Sequence, residues 1–343
     1  MKTFIIAEAG VNHNGDEKMA VELVEAAARS GADAVKFQTF SADKLTRKGA
    51  EKAEYQKQAT GDGDQHGMLK ALEMSEGLHH RLFARCTELG IEFMSTAFDE
   101  ESLDFLVALG IRRIKVPSGE ITNAPLLRHM ASKGLPLIVS TGMAELEEVV
   151  AAIGIIRAAR ESRGFAEPLG DIVTILHCTS NYPAESADVN LRAMNTMAQT
   201  TGLPVGYSDH TLGLAVSTGA VALGASVIEK HFTLDSRLPG PDHKASLEPD
   251  QLAALVRQIR DVEQALGSAI KAPTPSELPV RDLVRRSVTA VRAIDVGVPI
   301  AREDLALMRP GTGIPPANLE RVIGRTSARA IAAGETLVWS DLA

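Results

Sequence analysis

Eight short apolar runs, each stopping abruptly at reactive polar residues, constrain this chain more than any other feature: IIAEAG, AVKFQT, FMSTAFD, IKVPSGE, LIVSTG, VTILHCTS, VGYSDH and VIEKHF. A strand buried on both faces reads as continuous Val, Ile, Leu and Ala, and its side chains become chemically useful only where it emerges. Helical patterns separate the runs, so the chain is expected to form an α/β fold, a (β/α)8 TIM barrel, with its functional groups at the strand C-termini. One unit is fully legible. Asn14, Gly15 and Asp16 give a turn and an N-cap, Met19, Leu23, Val24 and Ala27 form one apolar stripe, and Gly31 ends the helix.

At 343 residues the chain exceeds the roughly 250 of a typical barrel, which leaves one small module over. The last barrel helix starts near Pro249, carries Leu252, Leu255, Val256, Ile259, Val262 and Leu266 at helical spacing, and stops at Gly267. The barrel domain is therefore placed at 1–267. Residues 268–284, with Pro273, Pro275 and Pro279, read as a stiff linker. From 285 to 343 the pattern changes to short β-like runs, SVTAV, VPIA and LALM, followed by the turn-rich RPGTGIPP. A module of about 60 residues is marginal alone and is expected to lean on a partner surface. Between the second and third strands, residues 41–67 are polar, with a helix expected at 68–73. A long loop there is a candidate lid or substrate wall.

Composition narrows the function classes. A net charge of −8 with 4% aromatic residues argues against nucleic-acid or anionic-membrane binding, although a local cationic pocket can still hold an anionic metabolite. Cys86 and Cys178 are too few for a disulfide framework, which points to a reducing cytoplasm. Glu8 interrupts the short apolar run at the N-terminus, so no secretion signal is expected there. The uncharged stretch from Leu212 to Ile228 contains Gly, Ser and Thr and reads as a barrel helix entering a strand rather than a membrane span.

The strand endings supply the chemistry. His210 and His231 end consecutive strands and would meet at the rim, an arrangement suited to a borderline divalent ion with open positions or, alternatively, to hydrogen bonding alone. Glu229 shares strand parity with His231 and is a further ligand or supporting carboxylate. Lys36 and Gln38 share parity on the second strand, and Lys115 and Ser118 lie at the fourth. Two inward ammonium groups are costly to bury unless something anionic meets them, so a phosphate or carboxylate ligand is the expected counter-charge. Thr96, Ser140, Ser180 and Ser208 add hydroxyl donors from four other ends. Glu8 and Glu120 are placed to orient hydroxyls or move protons, or to form structural ion pairs with Lys36 or Lys115. Asp242 and His243 lie in a Gly-Pro-bounded loop above the rim, and Arg309 precedes a turn in the terminal module, suited to an oxyanion or carbonyl contact or to plain solvent exposure.

Taken in order, IAEAGVNHNG, VKFQTF, STAFD, KVPSGE, STGM, GYSDH, IEKHFTLD, GPDHKASLEP and the terminal RRS with RPGTGI resemble the sialic acid synthase family over nearly the whole length. The resemblance implies a phosphoenolpyruvate-binding barrel followed by an antifreeze-like (SAF, β-clip) domain in a domain-swapped homodimer. By matching motif, Lys36, Thr96, Lys115, Ser118, Ser140, Ser180 and Ser208 would hold phosphoenolpyruvate. His210 and His231 would bind the divalent metal, most readily Mn2+, with Mg2+ or Co2+ as alternatives. Glu8, Gln38, Tyr182, Asp242 and the Arg309 of a second copy would contact an N-acetylated amino sugar, and Glu120 would handle water or proton transfer, with Glu8 and Lys36 also in catalytic roles. Ser180 stands where members of the family often carry Asn.

The activity implied is condensation of phosphoenolpyruvate with N-acetylmannosamine, giving N-acetylneuraminate, or with 2,4-diacetamido-2,4,6-trideoxymannose, giving N,N′-diacetyllegionaminate. Two other readings remain open at this point. Synthases of octulosonate or heptulosonate phosphates resemble the barrel, but they lack the terminal domain and need an extra cationic subsite. A non-catalytic carbohydrate-binding protein would not need the lysine cradle together with both histidines.

Overall fold

The computed structural model describes residues 2–343 and divides into two units, Met1–Gly267 and Ser268–Ala343. The first is a closed barrel of eight parallel strands: β1 (Phe4–Gly10), β2 (Ala34–Thr39), β3 (Glu92–Ala97), β4 (Ile114–Val116), β5 (Leu137–Ser140), β6 (Val173–Cys178), β7 (Val205–Asp209) and β8 (Val227–His231). These are the eight apolar runs. Pairing of β1 with β8, which sets Glu8 beside His231, closes the ring.

Strand alternation sorts the side chains. Ile6, Ala34, Met94, Ile138, Leu176 and Val227 point inward and form one apolar layer inside the barrel. Two residues further along the same strands come Glu8, Lys36, Thr96, Ser140, Cys178 and Glu229, so the polar floor of the cavity rests directly on that layer. In β7 the inward position of the apolar layer is Gly206. A Cβ there would lie 2.4 Å from the Val227 carbonyl and 2.6 Å from Leu176 Cδ2, so only glycine lets these strands close. The alternate, outward set, including Ile5, Val35, Phe93, Val139, Ile175 and Ile228, packs against the helices in the main core. Full burial of each such side chain is worth about 1.5–3 kcal/mol.

The helices end where local chemistry ends them. Helix Glu17–Ser30 is capped by Asp16, whose carboxylate accepts the Met19 amide at 2.9 Å, and closes at Gly31. Helix Pro249–Leu266 buries Leu252, Leu255, Val256 and Ile259. Between β2 and β3 the structure departs from the expectation. Three short helices, Ala42–Leu45, Glu54–Thr60 and Gln65–Lys70, occupy the polar stretch. The last one starts before residue 68 because Asp64 accepts the Gly67 amide at 2.8 Å and caps it.

In the second unit, β9 (Ser287–Ala290) and β10 (Leu305–Met308) pair antiparallel. Val288, Ala290, Ile300, Leu305, Val322 and Leu337 belong to a core within that unit. The run VPIA is not a strand. Pro299 has no amide to donate, and the segment makes only an isolated bridge to Thr326. Part of the expected linker is helical, over Leu278–Val284. Among the described residues no helix is long and apolar enough to cross a membrane.

Candidate active site

The C-terminal ends of the strands open into a cavity of about 480 Å³. Glu8, Lys36, Gln38, Thr96, Lys115, Ser118, Ser140, Ser180, Tyr182, Ser208, His210, His231 and Asp242 all line it. They come from β1 to β8 and from the loop after β8, so strand parity and barrel closure alone bring together residues more than 200 positions apart. Glu120 is the exception within the barrel unit. It does not line the cavity, and its carboxylate accepts the Asn123 side-chain amide at 2.7 Å. Arg309 belongs to the second unit. There it is exposed, its Nε donates to the Val284 carbonyl at 2.8 Å, and its terminal nitrogens have no hydrogen-bond partner among the described residues.

The floor is a buried array of four charges. Lys36 Nζ lies 2.9 Å from Glu8 Oε2 and 3.7 Å from Glu229 Oε1, and Lys115 Nζ lies 3.4 Å from the same Glu229 oxygen. A bound anion was the expected counter-charge, with a structural ion pair as the alternative; in the folded chain Glu8 and Glu229 already pair with the two lysines. Lys36 also donates to Thr96 Oγ1 at 3.0 Å, and Lys115 to Ser140 Oγ at 2.7 Å. These bonds aim both ammonium groups and hold hydroxyls beside them.

The array does not carry its charges equally. Burial opposes ionisation of Glu229, but Lys115, Lys36 and His210 outweigh it and hold its carboxyl below the usual range. Burial opposes the charge on Lys36 as well, yet Glu229 and Glu8 raise it above an ordinary lysine. Burial lowers Lys115 despite Glu229. For Glu8, burial dominates over the attraction of Lys36, and Glu229 adds repulsion, so the carboxyl is pushed up to about 7. A carboxyl of this kind holds a proton near neutral pH. Glu229 Oε2 has no hydrogen-bond partner among the described residues, which leaves it free for one.

Beside the floor stand the two imidazoles, with ring centroids 5.4 Å apart. His210 donates its Nδ1 proton to the Thr179 carbonyl at 2.7 Å, which leaves the Nε2 lone pair free. His231 Nδ1 is buried without a partner, 3.9 Å from Asp242 Oδ2. Burial lowers both histidines, His231 well below the ordinary value, so both are in the neutral form that binds metals. Among the described residues no group of three or more His, Cys, Asp or Glu side chains is arranged around a common point to hold an ion. Two neutral imidazoles, with His210 Nε2 free and His231 Nδ1 unpartnered, fit an open divalent site completed by water or substrate rather than a closed structural one.

Tyr182 packs its ring 4.1 Å from that of His210 and stacks on Tyr55, centroid to centroid 5.2 Å. Burial pushes Asp242, at the same rim, up to about 6. Three features escape a reading of the strand ends. Tyr55 sits in the polar 41–67 stretch, where its aromatic ring is the only cue. Glu229 proves to be the counter-ion shared by both lysines, a role parity alone does not distinguish from ligation. Gly142, in STGM, donates its amide to Ser118 Oγ at 3.0 Å, and a Cβ there would lie 2.3 Å from Ser180 Oγ.

Comparison with known proteins places this architecture. The NeuB family model matches residues 23–271 and the SAF domain model residues 285–343. N,N'-diacetyllegionaminic acid synthase of Legionella pneumophila is 56% identical over 343 residues, covering 100% of this chain and 95% of the relative. The synthase of the same name from Campylobacter jejuni is 45% identical, covering 96% of each. A crystal structure of N-acetylneuraminic acid (sialic acid) synthetase from Leptospira borgpetersenii, in complex with citrate, is 34% identical with a TM-score of 0.71, over 82% of this chain and 90% of that one. The fold is that of a barrel synthase with a SAF domain. The chain belongs to the NeuB family, the sialic acid synthases.

Proposed function

We propose that the chain is a sialic-acid-type nonulosonate synthase that condenses phosphoenolpyruvate with 2,4-diacetamido-2,4,6-trideoxymannose, releasing phosphate and giving N,N′-diacetyllegionaminate. The observation that carries this reading is one cavity in which two hydroxyl-bonded lysines adjoin two neutral imidazoles. The similarity to the Legionella synthase favours the diacetamido sugar over N-acetylmannosamine. Lys36 and Lys115 are the only lysine or arginine side chains among the described residues lining the cavity, and both face carboxylates. A phosphorylated acceptor therefore lacks a second cationic subsite in the barrel, which weighs against octulosonate or heptulosonate phosphate chemistry.

In this reading Lys36, Lys115 and the hydroxyls of Thr96, Ser118, Ser140, Ser180 and Ser208 bind the phosphate and carboxylate of phosphoenolpyruvate and stabilise its charge as it develops. Gln38, Tyr182 and Asp242 orient the open-chain sugar. A divalent ion held by His210 and His231, most readily Mn2+, with Mg2+ or Co2+ as alternatives, would supply Lewis-acid polarisation of the aldehyde. C3 of phosphoenolpyruvate forms a bond to the aldehyde carbon, whose oxygen takes a proton. Glu8, with its carboxyl near 7, is the group placed to hold that proton. Water adds at C2, and the carbon–oxygen bond to phosphate breaks to leave the 2-keto acid. Holding both substrates in one pocket contributes at most about 7–11 kcal/mol through orientation. Glu120, whose Oε2 accepts the Asn123 side-chain amide, keeps its other oxygen for water or proton transfer.

The reading extends to a homodimer in which the SAF domain is swapped and Arg309 completes the sugar site of the second copy, in the cytoplasm, where the two free thiols persist. The test is phosphate release from phosphoenolpyruvate with Mn2+ and a panel of N-acetylated mannosamines, with product masses. No release with any acceptor refutes it.

A further inference from the structure

One side of the cavity is apolar. Met68 and Leu69 of helix Gln65–Lys70, Leu72 just beyond it, Val11 after β1 and Phe98 after β3 all line the space. They belong to one cluster, in which Val11, Phe40 and Leu72 are buried and Met68, Leu69 and Phe98 pack against them. The wall is held in place. Phe98 meets Phe40 edge-on at 6.0 Å, and Thr60 donates to the Met68 sulfur at 3.7 Å, tying helices Glu54–Thr60 and Gln65–Lys70 together. The polar floor of lysines, hydroxyls and carboxylates lines the same cavity.

We propose that this wall determines acceptor specificity: it takes the deoxygenated end of the sugar, the C6 methyl, and disfavours the hydroxymethyl of N-acetylmannosamine. The inference rests on the synthase reading above. A hydroxyl turned toward Met, Leu and Phe leaves water without gaining a partner, whereas a methyl gains contact there. The floor, rich in donors and acceptors, has the opposite preference and suits the reacting end. The polar sequence around the wall disguises it: the apolar residues between 68 and 72 read as an ordinary helix stripe until the fold turns them toward the strand ends.

The experiment measures kcat/KM for both acceptors, with phosphoenolpyruvate and Mn2+ saturating, in the wild-type chain, Met68→Gln and Met68→Leu. Gln is as good a helix former as Met, so the lid helix should survive. The wild-type preference for the 6-deoxy sugar should fall about tenfold in Met68→Gln, equivalent to about 1.4 kcal/mol, and persist in Met68→Leu. Leu69→Gln provides the same comparison if Met68→Gln does not fold. An unchanged ratio in a variant that still turns over either acceptor, or an equal loss for both, overturns the wall while leaving the synthase reading intact. No turnover of either sugar by the wild-type chain overturns both.

Discussion

Replacing Gly142 with alanine tests the anion cradle with a single added methyl. Gly142 follows β5 and has no positive φ, so the backbone accepts alanine and the cost lies in space alone. The new Cβ would stand 2.3 Å from Ser180 Oγ, 2.7 Å from Cys178 Sγ and 2.9 Å from Ser118 Oγ. All three are far inside normal contact, so the two hydroxyls and the thiol must rotate away, breaking the Ser118–Cys178 contact at 3.1 Å. Overpacking of this kind costs about 1–3 kcal/mol of stability, which a domain this size should survive. The cost to binding is larger. Two hydroxyl contacts to an anion at about 1.5–3 kcal/mol each amount to roughly 3–6 kcal/mol, or about 10²- to 10⁴-fold in kcat/KM for phosphoenolpyruvate. The assay is steady-state phosphate release with phosphoenolpyruvate varied at saturating sugar, beside a melting curve. A folded Gly142→Ala chain with KM for phosphoenolpyruvate within threefold of wild type would refute the placement of the anion against Ser118 and Ser180. If the variant does not fold, Ser180→Ala alone should still lose about tenfold or more.

Three further outcomes are expected. Arg309→Ala should raise KM for the sugar by about 10- to 150-fold, the equivalent of roughly 1.5–3 kcal/mol, and leave that for phosphoenolpyruvate unchanged; mixing it with Lys115→Met chains should restore activity if Arg309 serves a second copy. Chelation should abolish phosphate release, Mn2+ should restore it in the wild type but not in His210→Ala, and full activity after chelation would remove the histidine pair from the mechanism. Burial opposes ionisation of Asp33, but Lys2 at 2.6 Å, the Ile5 amide at 2.9 Å and Arg260 at 2.7 Å outweigh it and hold its carboxyl below the ordinary 3.8. A carboxyl depressed on folding adds stability that is present above 3.8 and disappears as pH falls through the folded value. Asp33→Asn should therefore melt lower at pH 7, by about 1 kcal/mol after allowing for water access, and the gap should close below pH 4; a gap independent of pH would contradict the ion-pair account.

The division between what the sequence reveals and what it hides follows from the range of the forces involved. Barrel strands are legible because burial on both faces forces a local signature, and their endings are legible because an inward polar residue in such a run has few bland explanations. That is why Lys36, Lys115, His210 and His231 could be selected without coordinates. Parity predicts direction but not distance. It put Glu229 near the histidines, but only barrel closure shows its Oε1 3.4 Å from Lys115 and 3.7 Å from Lys36. The wall between 68 and 72 is harder still, since its residues obey helical period and their exposure to a cavity depends on how the lid folds over the rim. Glu120 shows the same limit of a reading by strand end. It follows a strand end as Glu8 does, yet a 3-10 turn over Ser118–Glu120 carries it past the rim to Asn123.

The four-charge floor also bears on why the strand-end pattern is so demanding. Two buried lysines and two buried carboxylates cancel formally, and breaking one pair would strand a charge at a cost of about 3–5 kcal/mol. A cavity floor already balanced in this way accepts a multiply charged anion more readily if it can also shed negative charge of its own. Glu8 is the member able to do so, because burial and Glu229 hold its carboxyl up at about 7, so it can be neutral at a pH where Glu229 is not. Neutralising Glu8 leaves the floor with a surplus positive charge where phosphoenolpyruvate is proposed to sit, and the same proton is then at hand for the aldehyde oxygen. On this argument Glu8→Gln, which fixes the neutral state, should keep or tighten phosphoenolpyruvate binding while lowering kcat. If binding weakens instead, the carboxylate is needed charged, and the proton belongs elsewhere.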